Sequence, residues 1–172
     1  LKLFLLSVLI SVSNLSFSVD TDHDGLPDDW EEASGRDPLT ADYQISNGSM
    51  HVCAKDDSGI VCWGNPQFDF GQTTVPSLIN PTELTAGGYH NCVIDNSEVK
   101  CWGKSSEPDT TVPTLNNPNQ LSAGNDYTCA IDDNGVVCWR YNNYAYPYTV
   151  PILSNPTQIS AGFNHACALD DN

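Results

Sequence analysis

The feature that most constrains this chain is a tandem repeat running from Ile45 onward. Cys53, Cys92, Cys129 and Cys167 follow one another at intervals of 39, 37 and 38 residues, and Cys62, Cys101 and Cys138 keep the same phase. Every complete unit holds C-x8-C-W. Around it recur S/T-A-G (Thr85 to Gly87, Ser122 to Gly124, Ser160 to Gly162), T-V-P (ending at Pro76, Pro113 and Pro151) and N-P (Asn80-Pro81, Asn117-Pro118, Asn155-Pro156). A period near 40 built from short β-type segments predicts an all-β chain, a partial β-propeller or another stacked array, because one such unit has no partner for its apolar faces until a neighbour covers them. The units are 45–84, 85–121, 122–159 and an incomplete 160–172.

Each C-x8-C reads as a hairpin whose register follows from counting. With a two-residue turn at Asp133-Asn134, Asp132 faces Gly135, Ile131 faces Val136, Ala130 faces Val137, and Cys129 faces Cys138. Hydrogen-bonded and non-hydrogen-bonded pairs alternate from the turn, which puts the cysteines at a non-hydrogen-bonded pair with Cα atoms about 4.5 Å apart. That spacing suits a disulfide. The same count pairs Cys92 with Cys101 and Cys53 with Cys62, each bridge worth roughly 2 to 3 kcal/mol by loop closure. Zinc is the competing use of the thiols, but C-x8-C across a hairpin is not usual ligand spacing. Apolar residues on both faces of the hairpin, Ile131 with Val136 and Ala130 with Val137, fit a sheet sandwiched between neighbouring blades.

Seven Cys against one Met in 172 residues point to an oxidising compartment. The first eighteen residues supply a route there. Lys2, the apolar run Leu3 to Val12 and the small residues of Ser16-Phe17-Ser18 read as a secretory signal cleaved near Ser18/Val19. The run is well short of the roughly 20 residues needed to span a bilayer, so no membrane insertion is expected after cleavage. The implied location is secreted, periplasmic or cell-surface. Twenty-two acidic residues against six Lys or Arg give a net charge of −16, which disfavours nucleic acid and anionic membranes as partners. Leu1 in place of Met suggests an alternative start codon or an incomplete record. Cys167 lacks a partner nine residues on, and this predicts a chain cut short that self-associates or unfolds with weak cooperativity when expressed alone.

Residues 20–31, DTDHDGLPDDWE, carry the most specific chemistry. Calcium takes six to eight oxygen ligands, supplied best from alternating loop positions with a glycine at the sharp turn. Asp20, Asp22 and Asp24 stand at positions 1, 3 and 5, Gly25 at 6, the Leu26 carbonyl at 7, Asp28 at 9 and Glu31 at 12. A bound Ca2+ relieves the repulsion among these carboxylates. Pro27 at position 8 and the absence of a helical pattern before Asp20 argue against a paired calcium sensor. The continuation predicts at most two helical turns from Asp28 to Ser34, stopped by Gly35 and Pro38. The D-x-D-x-D-G-x-x-D run followed by W-E and G-x-D-P resembles bacterial relatives of the thrombospondin type 3 calcium-binding repeat over residues 20–42. That resemblance implies a calcium-stiffened spacer, here within segment 19–44.

The stretches SAGFNHACALDD, TAGGYHNCVIDNSEVKCWG and SAGNDYTCAIDDNGVVCWR resemble the regulator of chromosome condensation family, in its short disulfide-bearing form from secreted bacterial proteins. The resemblance spans 45–172 and implies a β-propeller, commonly of seven blades, whose loops present binding surfaces. Arg140 replaces the usual Gly after Trp in the third unit, and Gly71 to Thr73 gives way to EPDTT and YPYTV in later units. Loops 65–72, 104–109 and 140–148 are therefore the variable elements. Nucleotide-exchange activity does not come with the name, since a fold does not set a function.

Catalytic signatures are missing from the sequence: no G-x-S-x-G, H-E-x-x-H or glycine-rich phosphate loop occurs. His51, His90 and His165 stand two residues before the first Cys of a unit, with Tyr127 in that place in the third. A residue repeated once per blade reads as packing. His23 sits at a non-ligand position of the calcium loop. Tyr141, Tyr144, Tyr146 and Tyr148 in RYNNYAYPYTV combine apolar area with polar tips and are the binding candidates. The expected function is a secreted, non-enzymatic interaction module that binds a protein or glycan through its loops. The alternatives are an inhibitor of a secreted enzyme such as a β-lactamase, which the family resemblance suggests, and a propeller enzyme acting on polysaccharide. A pair of carboxylates with raised pKa on one propeller face would favour the enzyme, and an aromatic loop cluster there would favour binding.

Overall fold

The computed structural model describes residues 19, 21, 28–34, 38–39, 43–56, 59–104, 112–140 and 149–171. It divides into two compact units, Leu1–Ala41 and Asp42–Asn172. In the first, helix α1 (Asp28–Ser34) occupies the predicted turns. The Asp28 N–H donates to the Val19 carbonyl (2.8 Å), and the Asp28 carboxylate accepts from both the N–H (2.8 Å) and the hydroxyl (2.6 Å) of Thr21. The segment 1–18 read as a signal, together with Asp20, Asp22, Asp24 and Leu26, lies outside the described residues.

The second unit is a series of antiparallel sheets. Blade 1 is β1 (Gln44–Asn47), β2 (His51–Asp56) and β3 (Gly59–Gly64); blade 2 is β4 (Pro81–Ala86), β5 (His90–Asp95) and β6 (Glu98–Gly103). Blade 3 is β7 (Gln120–Ala123), β8 (Tyr127–Asp132) and β9 (Gly135–Arg140), and blade 4 holds β10 (Pro156–Ala161) and β11 (Ala166–Asp170). The inner strands β1, β4, β7 and β10 lie next to one another in sequence order, as in a partial β-propeller.

The hairpin register is Asp132↔Gly135, Ile131↔Val136, Ala130↔Val137 and Cys129↔Cys138, with matching pairs in blades 1 and 2. Disulfides join Cys53–Cys62, Cys92–Cys101 and Cys129–Cys138 at Cα separations of 4.1, 4.1 and 4.0 Å. The turns reach this register by two routes. Asn96 and Ser97 both take positive φ (53° and 67°), as a primed two-residue turn requires. In blade 3 the positive φ falls instead on Gly135 (118°), which only glycine adopts without strain.

Successive blades are joined by the recurring motifs. The Ser or Thr of S/T-A-G, and Ser46 of Ser46-Asn47-Gly48 at the same place in blade 1, accepts from the Ala N–H of the next blade: Ala86 to Ser46 (2.8 Å), Ala123 to Thr85 (2.9 Å) and Ala161 to Ser122 (2.8 Å). Each disulfide packs against the inner strand of the following blade, giving the clusters Cys53–Cys62–Leu84, Cys92–Leu121–Ala130 and Cys129–Ile131–Ile159. Ala130 belongs to the cluster on one face of blade 3 and Ile131 to that on the other, so both faces of the hairpin are buried.

The repeated His position is a bridge between blades. His51 Nε2 meets Asn91 Oδ1 (2.7 Å) and His90 Nε2 meets Thr128 Oγ1 (2.8 Å). Where the receiving residue would be Ala166, which has no polar group, the donor is Tyr127, whose longer side chain reaches the carbonyls of Gly162 and His165 instead. The next motif residue must be glycine: a Cβ on Gly87 would lie 2.3 Å from His90 Cε1 and 2.5 Å from the Gly124 carbonyl. At the opposite end of the blades, Asp95, Asp132 and Asp170 accept from backbone N–H groups of the loops before N-P, for example Asn80 to Asp95 at 2.7 Å and Asn155 to Asp170 at 2.6 Å.

Candidate binding face

The loops 47–51, 86–90, 123–127 and 161–165 lie at one end of the blades, together with the segments that leave the third strands. Backbone bonds run from blade to blade along them: Ser49 N–H to Gly87 O (3.2 Å), Gly88 N–H to Asn125 O (2.9 Å) and Asn125 N–H to Phe163 O (3.2 Å). They surround an open depression of about 280 Å³ lined by Asn47, Ser49, Gly87, Gly124, Asn125 and Phe163, with no titratable side chain among its described lining residues.

Beside it, the loop following β3 is built outward from one buried side chain. Gln72 is fully buried; its Nε2 donates to the Phe68 carbonyl and its Oε1 accepts from the Phe70 N–H (2.7 Å). The Gln72 carbonyl in turn accepts from Asn91 Nδ2 (2.8 Å) and Trp102 Nε1 (3.1 Å) of blade 2. A single glutamine thus folds the loop and ties it to the next blade. Asp69 finishes the turn by accepting from the Thr73 hydroxyl and the Gly71 N–H, and these bonds hold its carboxyl below the usual range.

The outcome is an aromatic cluster with a cation. Phe70 and Tyr89 meet edge to face at 5.4 Å, and Lys104 Nζ lies 4.9 Å from the Phe70 centroid and 5.2 Å from that of Tyr89. Phe68 and Phe70 are exposed, at 39% and 47%. The Lys104 N–H also donates to the Tyr89 carbonyl (2.8 Å), so the lysine is placed by backbone as well as by its rings. Contacts of this kind are worth about 0.5 to 1 kcal/mol at exposed sites. Phe70, Tyr89 and Lys104 escaped the sequence reading, although Phe68 and Phe70 lie in the variable loop 65–72 that it singled out. The proposed Tyr141, Tyr144, Tyr146 and Tyr148 lie outside the described residues.

Several ionisable groups elsewhere make contacts within the fold. Glu83 is raised by burial, against the opposing charge of Lys55 and a hydrogen bond from Gln44; it sits in mid-strand beside blade 1, away from the loop face. Burial works against ionisation of Asp95, but Lys100 at 2.6 Å and the N–H groups of Asn80 and Ile79 outweigh it and hold the carboxyl low. Arg140, at the place where blades 1 and 2 have glycine, stands 3.8 Å from Asp126. Of the predicted calcium ligands, Asp28 is the one whose side chain is described; the hydrogen bond from the Thr21 hydroxyl holds its carboxyl below the ordinary range. Among the described residues no group of three or more His, Cys, Asp or Glu is placed to hold a metal ion.

Solved structures similar to this chain are propellers. The ectodomain of the receptor kinase CR4 from Physcomitrella patens is 29% identical with a TM-score of 0.59, over 74% of this chain and 35% of that one. The CRINKLY WD40 ectodomain of the Arabidopsis thaliana receptor kinase ACR4 is 25% identical with a TM-score of 0.57, over 76% and 46%. Prp20p of Saccharomyces cerevisiae, at 21% identity and a TM-score of 0.55 over 76% and 43%, bears on the fold alone. The chain spans less than half the length of each. No protein-family model matches it, and no curated protein does. Its fold is that of a regulator of chromosome condensation type propeller in part, stapled by one disulfide in each three-stranded blade.

Proposed function

We propose that this chain is a non-enzymatic interaction module working outside the cytoplasm, in which a calcium-stiffened N-terminal segment precedes a propeller that binds a protein or glycan through its loop face. The observation that carries the reading is the cluster of Phe68, Phe70, Tyr89 and Lys104, ordered by a fully buried glutamine and left open to solvent. Exposed rings on a rigid base are the usual anchors of an interface, because they offer large area at low entropy cost. The three disulfides support an oxidising location. So do the two receptor-kinase ectodomains among the similar structures. Among the described residues no helix is long and apolar enough to cross a membrane.

The test probes the chain with a glycan array and a phage-displayed peptide library. Phe70→Ala/Tyr89→Ala should lower retention of the wild-type hits at least tenfold while keeping the wild-type circular dichroism. Glu98→Gln, at the opposite end of the blades, should leave retention unchanged. Hits retained equally by the double variant would overturn the assignment of this face.

A further inference from the structure

Two departures from the repeat meet at the junction of blades 1 and 2. Two places after the first cysteine of the hairpin, blades 2 to 4 carry Ile94, Ile131 and Leu169, whereas blade 1 carries Lys55. Two places before Ser46, Ser122 and Ser160 stand Gln44, Gln120 and Gln158, whereas Glu83 stands before Thr85. Ordinarily the glutamine lies opposite the aliphatic residue, as in Gln120↔Ile131 and Gln158↔Leu169, and its Oε1 accepts from the next blade, as Gln120 does from the Ile159 N–H (2.5 Å). Blade 1 keeps the glutamine but sets an amine across from it, Gln44↔Lys55. Blade 2 then brings an acid to the same place.

The three groups share one interior site. Lys55 is buried, at 6% exposure. Residues directly opposite in an antiparallel pair project from the same face, with Cβ atoms about 4.5 to 5.5 Å apart. Here that face looks toward blade 2, because Gln44 Oε1 accepts from the Leu84 N–H (2.7 Å). The amide nitrogen of Gln44 is left to donate to the Glu83 carboxyl; Lys55 acts on that carboxyl by its charge, and burial outweighs both and favours the protonated acid. A buried amine, an amide carbonyl held by a backbone N–H and an acid that favours its proton are the parts amide exchange needs: nucleophile, polarised electrophile and proton carrier. We propose that Lys55 and Gln44 join in an autocatalytic isopeptide bond, with Glu83 as the proton carrier.

The Glu83 carboxylate takes a proton from the Lys55 ammonium, and the freed Nζ attacks Gln44 Cδ. The Leu84 N–H holds the oxygen as it gains charge. Glu83 gives its proton to the Gln44 nitrogen as the Cδ–Nε2 bond breaks, ammonia leaves, and the second proton of Nζ passes to Glu83. The new bond needs no oxidant and no co-reactant. In blade 1 the disulfide joins β2 to β3, and the isopeptide bond joins β1 to β2 in a form that reductants do not open.

The test is the intact mass of the full chain, incubated at neutral pH and then reduced and denatured. The wild type should fall short of its sequence by one molecule of ammonia. Trypsin should fail to cut after Lys55, and tandem mass spectra should place the branch between Gln44 and Lys55. Glu83→Gln, which restores the residue type of Gln120 and Gln158, should keep the wild-type circular dichroism, the full mass and normal cleavage after Lys55. Lys55→Ile, the residue type of Ile94 and Ile131, should likewise keep its full mass. A wild-type chain of full mass, a bond that forms equally in Glu83→Gln, or an ammonia lost instead as a succinimide at Asn47-Gly48 or Asn134-Gly135, would overturn the proposal.

Discussion

His90 makes the stability of the blades depend on pH in a way that can be calculated. Its ring is buried between Gly87 and the Thr128 hydroxyl of the next blade, and burial, with the nearby His51 adding to it, lowers its pKa from 6.5 to about 4. The unfolded chain therefore binds a proton at this residue in a range where the folded chain does not. Above pH 6.5 both states are neutral and the full stability is present; as pH falls from 6.5 toward 4 the unfolded state gains the proton and stability is lost. One pKa unit is about 1.4 kcal/mol, so the loss from this group reaches about 2 kcal/mol near pH 5 and on the order of 3 kcal/mol near pH 4. The assay is urea unfolding followed by tryptophan fluorescence at several pH values, for the wild type and His90→Gln. Glutamine keeps a donor for Thr128 but does not titrate, and carboxylates such as Asp95 and Glu83 titrate in both proteins and cancel in the difference. The wild type should lose about 2 kcal/mol more than the variant between neutral pH and pH 5. Parallel pH profiles for the two proteins would refute the reasoning.

Two further predictions rest on other parts of the chain. Thr85→Val removes the acceptor for the Ala123 N–H without a large change of volume, and should cost about 1 to 3 kcal/mol in denaturant unfolding, as expected when a partly buried amide loses its partner; Thr82→Val on the same strand, which is exposed, should cost less than half as much. Calorimetric titration with calcium should give binding in the range of about 10⁻⁴ to 10⁻³ M for the wild type and none for Asp22→Ala/Asp24→Ala, and equal heats from the two would dismiss the N-terminal site.

What could be read from the sequence was whatever obeys a short period. The hairpin register follows from counting outward from a turn, since side chains alternate with period two and a cysteine pair nine apart allows one alignment, as Cys129↔Cys138 shows. Contacts between blades could not be counted that way. The bond from Ala123 to Thr85 links residues 38 apart, and nothing in S/T-A-G says that its hydroxyl serves the next repeat rather than its own. The same gap hid the role of Tyr127. Its replacement of histidine looks arbitrary until Ala166, in the following repeat, is seen to offer no polar partner. The Phe70–Tyr89–Lys104 cluster was hidden for a further reason. It joins a loop of one blade to two residues of the next, and the glutamine that holds it lies in a G-Q-T stretch that the later repeats lack.

Charge decides how the loop face can recognise a partner. Of the four basic residues in the repeats, Lys55 is buried, Lys100 is tied to Asp95, Arg140 stands beside Asp126, and Lys104 lies against Phe70 and Tyr89. The six basic residues of the whole chain are set against twenty-two acidic ones, a negative balance that, on the proposed reading, disfavours a polyanionic partner. Selection at short range then falls to the rings. Lys104 keeps its charge within 4.9 Å of Phe70 and 5.2 Å of Tyr89, where it interacts with their faces and presents hydrogen-bond donors at the edge of an apolar patch. A neutral ligand with apolar area and acceptor oxygens fits both conditions. On the proposed reading, sugars and uncharged peptide segments suit the face better than nucleic acids.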